Sequence, residues 1–92
     1  MKILETETEI KCQWTLVEKK LVRSIECDRI EWLRKNYLIE MARDNSEWLV
    51  LYKDPKDKRL WELYFEFSEM QGGGPPSLRN ISEEEAITKY KL

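Results

Sequence analysis

Residues 48–67 decide the fold, and they read W-L-V-L-Y-K-D-P-K-D-K-R-L-W-E-L-Y-F-E-F. Apolar side chains fill both faces of residues 48–53, which is typical of a strand buried on both sides. In residues 60–67, Trp, Leu and Phe alternate with Glu and Tyr, which is the period of a strand. Asp54 and Pro55, between the two runs, are typical turn residues. The segment therefore predicts an antiparallel β-hairpin.

Four further strands are predicted around this hairpin. Residues 10–17 alternate strictly between apolar and polar side chains, which indicates one half-buried strand. Residues 21–23 follow as a short partner strand. Residues 37–43 form a second long strand, and residues 78–81 form a short edge strand.

A helix is predicted to begin after Ser24, since acidic residues follow in the first turn. Asn36 is expected to end it. Ile25 and Trp32 lie roughly opposite the main apolar stripe, and we expect both to be covered by other parts of the chain. The stripe itself consists of three residues spaced three apart: Cys27, Ile30 and Leu33.

A second, shorter helix is predicted near the C-terminus. Ser82 and Glu85 form a capping box, and Ile87 and Tyr90 are expected to dock the helix. The chain thus reads as one α+β domain over residues 1–92. It has a small, mostly antiparallel sheet, one longer helix and a short C-terminal helix.

Composition excludes several classes of function. The chain has 92 residues, 41% of them hydrophobic, so one core can form. Sixteen Lys and Arg against 18 Asp and Glu give a net charge of −2, which argues against direct nucleic-acid binding. There is no histidine, so the commonest general base and the commonest metal ligand are missing. We predict no metal site and no cofactor.

Cys12 and Cys27 have no CxxC spacing and no histidine partners for a zinc site. Two reduced thiols are the favoured interpretation, and a disulfide between them stays open. The longest apolar run, residues 48–52, is too short to span a bilayer. The N-terminus lacks the apolar stretch of a secretory signal. We therefore expect a cytoplasmic protein that does not contact membranes.

The sequence does not predict an enzyme. No serine lies in a G-x-S-x-G elbow, and neither cysteine can be assigned a base. Glu62 and Glu66 lie roughly 13 Å apart along one strand face, which is too far for a glycosidase pair, and we expect this face to be solvated.

A run of three glycines, Gly72, Gly73 and Gly74, is the most unusual local feature. Without Cβ atoms, the backbone can adopt positive φ angles or approach another molecule closely. No Gly-Lys-Ser/Thr follows, which excludes a P-loop. Three interpretations stay open: an edge loop with unusual dihedral angles, an anion-binding cradle of N–H groups, and a loop that recognises a partner.

Acidic and apolar side chains surround this run. Between Glu62 and Pro76 there are three carboxylates and no Lys or Arg. Negative charge steers a basic protein toward such a surface, and aromatic or Met side chains anchor it. We therefore predict a partner-binding site of ten residues: Glu62, Tyr64, Glu66, Glu69, Met70, Gln71, Gly72, Gly73, Gly74 and Pro75.

Two long motifs in the second half of the chain carry a resemblance. Residues 54–63 read D-P-K-D-K-R-L-W-E-L, and residues 68–76 read S-E-M-Q-G-G-G-P-P. Together with C-D-R-I-E-W-L at residues 27–33, they resemble the immunity protein 27 family of bacterial polymorphic toxin systems. The likeness extends from about Trp14 onward. Lys58 stands where the family's turn usually has Gly.

The resemblance implies a small α+β protein, made beside a secreted toxin, that binds and neutralises this toxin in the producing cell. The expected mechanism is occlusion of the toxin's active or functional surface. A nuclease toxin would offer a basic cleft to the acidic site. The family motif falls on these positions: Asp54, Asp57, Arg59, Trp61, Glu62, Glu69, Met70, Gly72, Gly73, Gly74 and Pro75.

Three alternatives stay open. A small-ligand or anion-binding module would use the Gly72, Gly73 and Gly74 loop, and a phosphate or nucleotide titration would detect it. An enzyme with a cysteine nucleophile would lose its protective activity in a double Cys→Ala variant. A homodimeric structural domain would associate through Trp32 or an edge strand.

Overall fold

The computed structural model describes residues 3–44, 49–65 and 75–92. Within this part of the chain, seven strands and two helices follow one another. In chain order they are β1 (Glu9–Lys11), β2 (Trp14–Val17), β3 (Lys20–Arg23), α1 (Ile25–Asn36), β4 (Ile39–Arg43), β5 (Val50–Lys53), β6 (Leu60–Phe65), β7 (Pro76–Ile81) and α2 (Glu83–Tyr90).

Five strands form an antiparallel sheet in the order β1-β7-β6-β5-β4, and β2 and β3 form a separate two-stranded sheet. The predicted α+β class is confirmed. So is the central hairpin, in which Val50 of β5 pairs with Leu63 of β6 and Lys53 with Leu60. The prediction that residues 78–81 form an edge strand is wrong, because β7 lies between β1 and β6.

The single strand predicted over residues 10–17 is also wrong. The chain pairs β1 with β7 and then leaves the main sheet, so that β2 pairs with β3 instead. The break lies at Cys12 and Gln13. There the backbone N–H of Cys12 still donates to the carbonyl oxygen of Pro76, at 3.2 Å, while Ser24 N–H donates to Gln13 O at 2.8 Å.

Two apolar clusters lie on opposite faces of the main sheet. The burial of successive residues of β5 on both sides confirms that it is a doubly covered strand. α1 covers one face with Cys27, Ile30 and Leu33, which pack with Val50, Tyr52, Trp61, Leu63 and Leu78. α2 covers the other face, where the cluster consists of Leu51, Ile81, Ala86 and Tyr90.

Both helices begin where the sequence predicts, after Ser24 and Ser82, and α1 ends at Asn36 as predicted, but the helix surfaces differ from expectation. Ile25 and Trp32 are exposed, at 76% and 41%, so the expectation that they are covered is wrong. Ser82 Oγ accepts from Glu85 N–H at 3.1 Å, which confirms the cap. Tyr90 docks α2 as expected, whereas Ile87 stays exposed. Neither helix of the described residues is long and apolar enough to cross a membrane.

The two cysteines are joined in a disulfide, so the favoured interpretation of reduced thiols is wrong. Both are buried, and their Cα atoms lie 4.4 Å apart. The β2–β3 hairpin reverses the chain between them, so that Cys12, two residues before β2, lies beside Cys27 in the first turn of α1.

The turn between β5 and β6 is built on a buried aspartate. Asp54 Oδ1 accepts from Lys56 N–H at 2.8 Å and from the Tyr37 hydroxyl at 2.6 Å. The hydrogen bond to Asp54, together with burial, raises the pKa of Tyr37 to about 12. Lys58 N–H donates to the Asp54 carbonyl at 2.9 Å, and Lys58 adopts a positive φ of 67°.

We expect Lys58→Gly to stabilise the protein by about 0.5–1 kcal/mol. A left-handed conformation costs a non-glycine residue about 1–2 kcal/mol, and the extra unfolded-state entropy of glycine returns about half of that. Thermal or urea unfolding measures the difference. Lys56→Gly is the matched control in the same turn, since Lys56 has no positive φ, and it should be destabilising. Equal effects of the two substitutions would contradict the strain at Lys58.

Candidate partner-binding site

The predicted site lies where β6 ends and β7 begins. The two strands stay paired up to Phe65 and Pro76, and Pro75 is buried just before β7. Glu62, Tyr64 and Pro75 are among the described residues. The other predicted site residues lie outside the described residues: Glu66, Glu69, Met70, Gln71, Gly72, Gly73 and Gly74.

Glu62 was expected on a solvated sheet face, and the structure corrects this expectation. Its side chain is fully buried, beneath α2. Three donors converge on the carboxylate. Arg79 Nε lies 2.9 Å from Oε1, Lys89 Nζ lies 2.9 Å from Oε2, and the Tyr90 hydroxyl lies 2.8 Å from Oε2. Glu62 therefore fastens the last turn of α2 to the sheet.

The electrostatics of this cluster favour an ionised Glu62. Burial by itself raises the pKa of the carboxyl group, but hydrogen bonds from Lys89, Tyr90 and Arg79 outweigh it and hold the pKa below its ordinary value. Burial and the neighbouring carboxylate both raise the pKa of Tyr90. At neutral pH the cluster therefore holds a charged Glu62 and a neutral, donating Tyr90.

Arg79 extends this cluster to Tyr64. Its guanidinium also bonds Glu85, with Nη2 3.0 Å from Oε2, and lies 5.6 Å from the centre of the Tyr64 ring. The Tyr64 hydroxyl donates to Glu9 at 2.8 Å. Residues 62–76 carry no Lys or Arg, but β7 and α2 bring Arg79 and Lys89 against Glu62. The acidic character of the predicted site now depends on Glu66 and Glu69.

Arg59 belongs to the same first motif as Glu62, residues 54–63, and it also builds the fold. Arg59 Nε lies 2.7 Å from Asp57 Oδ2, and its two terminal nitrogens donate to the carbonyl oxygens of Leu4 and Glu7. Its guanidinium also lies 5.0 Å from the centre of the buried Trp61 ring. Arg59 thereby holds the N-terminal segment against the hairpin.

Sequence reasoning missed all three partners of Glu62, which are Arg79, Lys89 and Tyr90. Lys89 and Tyr90 lie 27 and 28 residues further along the chain. The only local signal is Tyr90 itself, an apolar ring with a hydroxyl that needs a partner when buried.

The chain matches the family model described as Immunity protein 27 over residues 16–82. It belongs to the immunity protein 27 family. The match runs from β2 to the residue that caps α2, so it includes Glu62 and Arg79 of the buried cluster. The predicted resemblance is thus confirmed. Comparisons with curated proteins and with solved structures gave no match.

Proposed function

We propose that this immunity protein 27 member binds a cognate bacterial toxin and neutralises it by covering the toxin's active or functional surface. The observation that carries the proposal is the family match, which includes the whole of residues 62–75. We further propose that the toxin belongs to a polymorphic toxin system and that neutralisation takes place in the cytoplasm of the producing cell.

We propose residues 66–75, together with Tyr64, as the part that touches the toxin. The described flanks of this segment support the choice, because they are firmly held. β6 and β7 pair up to Phe65 and Pro76. Glu62 of β6 accepts hydrogen bonds from Arg79 of β7 and from Tyr90 of α2, so it connects both strands to the helix. A fixed base lowers the entropy that binding costs.

The charge of the segment suits a basic partner. Residues 66–75 carry Glu66 and Glu69 and no Lys or Arg. Such a segment would raise the association rate with a basic nuclease, whose cleft is built for phosphates, while Met70 would slow dissociation. Glu62 supports Tyr64, the described residue of the proposed surface in β6, because its buried carboxylate accepts from Arg79, whose guanidinium lies 5.6 Å from the centre of the Tyr64 ring.

We expect Glu69→Lys to weaken toxin binding at least about tenfold, or about 1.4 kcal/mol, without changing the thermal stability. Met70→Ala should increase the dissociation rate in the same assay. The measurement is surface plasmon resonance against the toxin domain encoded beside this gene, with toxin protection in cells as a second readout.

Glu84→Lys is the matched control, since Glu84 is exposed on α2 and lies beyond the family match. It should bind like the wild type. Parallel loss of folding and binding in Glu69→Lys and Met70→Ala would show that these residues are structural. A wild-type chain that forms no complex and gives no protection would contradict the proposed function itself.

The alternative of an anion-binding loop loses support from the structure. Arg79 is the basic residue nearest the glycine run in sequence, and its guanidinium is engaged by Glu62, Glu85 and the Tyr64 ring. An incoming phosphate would have to displace two carboxylates from it.

A further inference from the structure

The β2–β3 hairpin exposes an unusual amount of apolar surface for two short strands. Leu16 is 73% exposed and Leu21, its partner across the hairpin, is 58% exposed. Val17 and Val22, on the other face, are also about half exposed. An isolated two-stranded hairpin is marginally stable in water, so a further layer or strand is expected to cover this one.

The base of the hairpin is firmly fixed. The disulfide joins Cys12, just before β2, to Cys27, in the first turn of α1. Between them, Ser24 Oγ accepts from Gln13 N–H at 2.9 Å, and Ser24 N–H donates to Gln13 O at 2.8 Å. The two exposed strands are therefore fixed to the rest of the domain at their base and are not a frayed chain segment.

The outer edge of β2 differs from the other sheet edges of the described residues. β2 reads Trp14, Thr15, Leu16 and Val17, without a charged side chain. Proteins protect open strand edges with charges, since an uncharged edge pairs with other strands. The other three edge strands carry such charges: Glu9 and Lys11 in β1, Lys20 and Arg23 in β3, and Glu40 and Arg43 in β4.

We propose that β2 pairs with β2 of a second copy of this chain, in an antiparallel, twofold-symmetric arrangement, so that two hairpins form one four-stranded sheet. A twofold axis at Leu16 would set Leu16 beside its own symmetry mate and Thr15 opposite Val17. One face of the joint sheet would then carry Leu16 and Leu21 of both copies together.

Charge selects β2 over β3 for this pairing. Pairing through β3 would bring Lys20 and Arg23 of both copies together. Pairing through β2 opposes no like charges and places the two β3 strands at the outer edges, three strand spacings or about 14 Å apart. That separation exceeds the screening length of about 8 Å in physiological salt.

A second copy is also the occupant best suited to a hairpin that is always exposed. A second copy of the chain is always available to cover the hairpin, whereas a toxin could cover it only after the toxin and this protein have met. The hairpin, residues 14–23, carries Lys19, Lys20 and Arg23 against Glu18 alone, and this net positive charge would repel a basic toxin. Because four-residue strands bury little area, we expect a weak dimer at the low end of interface sizes.

Sedimentation velocity of the purified full chain over a concentration series tests the proposal. The wild type should shift from monomer to dimer as concentration rises. Leu16→Lys and Thr15→Lys should each raise the dimer dissociation constant at least about tenfold. Ile39→Lys is the matched control, an exposed apolar residue on the edge strand β4, and it should dimerise like the wild type.

A charge-swap experiment tests the geometry. Thr15→Lys and Thr15→Glu should each be largely monomeric, and mixing the two should restore dimers, because positions 15 of the two copies lie diagonally across the new strand pair. Circular dichroism checks folding, and Thr15, already exposed and polar, keeps the test valid if Leu16→Lys does not fold.

Three results would overturn the proposal. They are a wild type that is monomeric at every concentration, β2 variants that dimerise as the wild type does, and a mixture of charge-swapped variants that stays monomeric. A monomeric wild type whose β2 variants lose toxin binding would assign the edge to the toxin. Failure of this dimer would leave the proposed toxin neutralisation untouched, since the two are measured separately.

Discussion

Replacing Glu62 with alanine is expected to lower the free energy of unfolding by about 3 kcal/mol. Removing one partner of a buried, hydrogen-bonded ion cluster costs about 3–5 kcal/mol, because the remaining groups lose their compensation. The lower end applies here, since the Arg79 and Lys89 side chains are 39% and 32% exposed and can turn to water. Tyr90, whose hydroxyl is buried against Glu62, has less freedom to do so.

Urea or thermal unfolding measures the effect, which corresponds to a fall in Tm of roughly 12–24 °C for a domain of this size. Tyr90→Phe removes one hydrogen bond and should cost about 1 kcal/mol. The matched control is Glu85→Gln, which removes the exposed carboxylate on the same Arg79 and should change stability by less than about 0.5 kcal/mol.

Acid should weaken the same cluster. The folded-state pKa of Glu62 is below its ordinary value of 4.5, so the ionised carboxylate stabilises the fold above that pH. This contribution is lost as the pH falls from 4.5 through the lower folded-state pKa. The stability difference between the wild type and Glu62→Gln should therefore shrink over the same acidic range.

The outcome for Glu62 also separates two roles for a residue of the family motif. If a Glu62 variant loses stability but keeps its affinity for the toxin, once the unfolded fraction is corrected for, Glu62 acts as an anchor of α2. If the variant keeps its stability but loses toxin binding, the anchoring role is contradicted and Glu62 is part of the toxin-binding site.

The central hairpin and both helices could be predicted because their signals are local. Asp54 and Pro55 mark one turn, and Ser82 with Glu85 marks the start of α2, within a few residues of the structure they specify. The antiparallel arrangement then follows from short connections. The fold class is therefore contained in local sequence patterns.

Features that depend on distant partners could not be predicted in this way. The burial of Glu62 requires Lys89 and Tyr90, which no spacing rule links to it. The break after β1 is hidden because apolar and polar residues keep alternating through Cys12 and Gln13 while the chain changes sheets. The disulfide joins residues 15 apart, and no local pattern decides between it and the two reduced thiols that the sequence favours.

Reducing the Cys12–Cys27 disulfide is expected to lower the free energy of unfolding by about 3 kcal/mol. The two cysteines are 15 residues apart, and a cross-link that closes a loop of about this length removes that much conformational freedom from the unfolded chain. Denaturant unfolding with and without dithiothreitol measures the loss. Hydrogen exchange should also become faster in β2 and β3, since the bond closes the base of their hairpin.

A double Cys12→Ala, Cys27→Ala variant is the control, because dithiothreitol should not change its stability. The redox state of Cys12 and Cys27 in the wild-type protein also tests the proposed cytoplasmic location, since disulfides seldom persist in a reducing compartment. Thiol alkylation of freshly lysed cells should therefore label both cysteines if the protein stays in the cytoplasm, and neither if it resides in an oxidising compartment. Wild-type protein that unfolds identically with and without reductant, while its cysteines are demonstrably oxidised, would contradict the stabilising role of the bond.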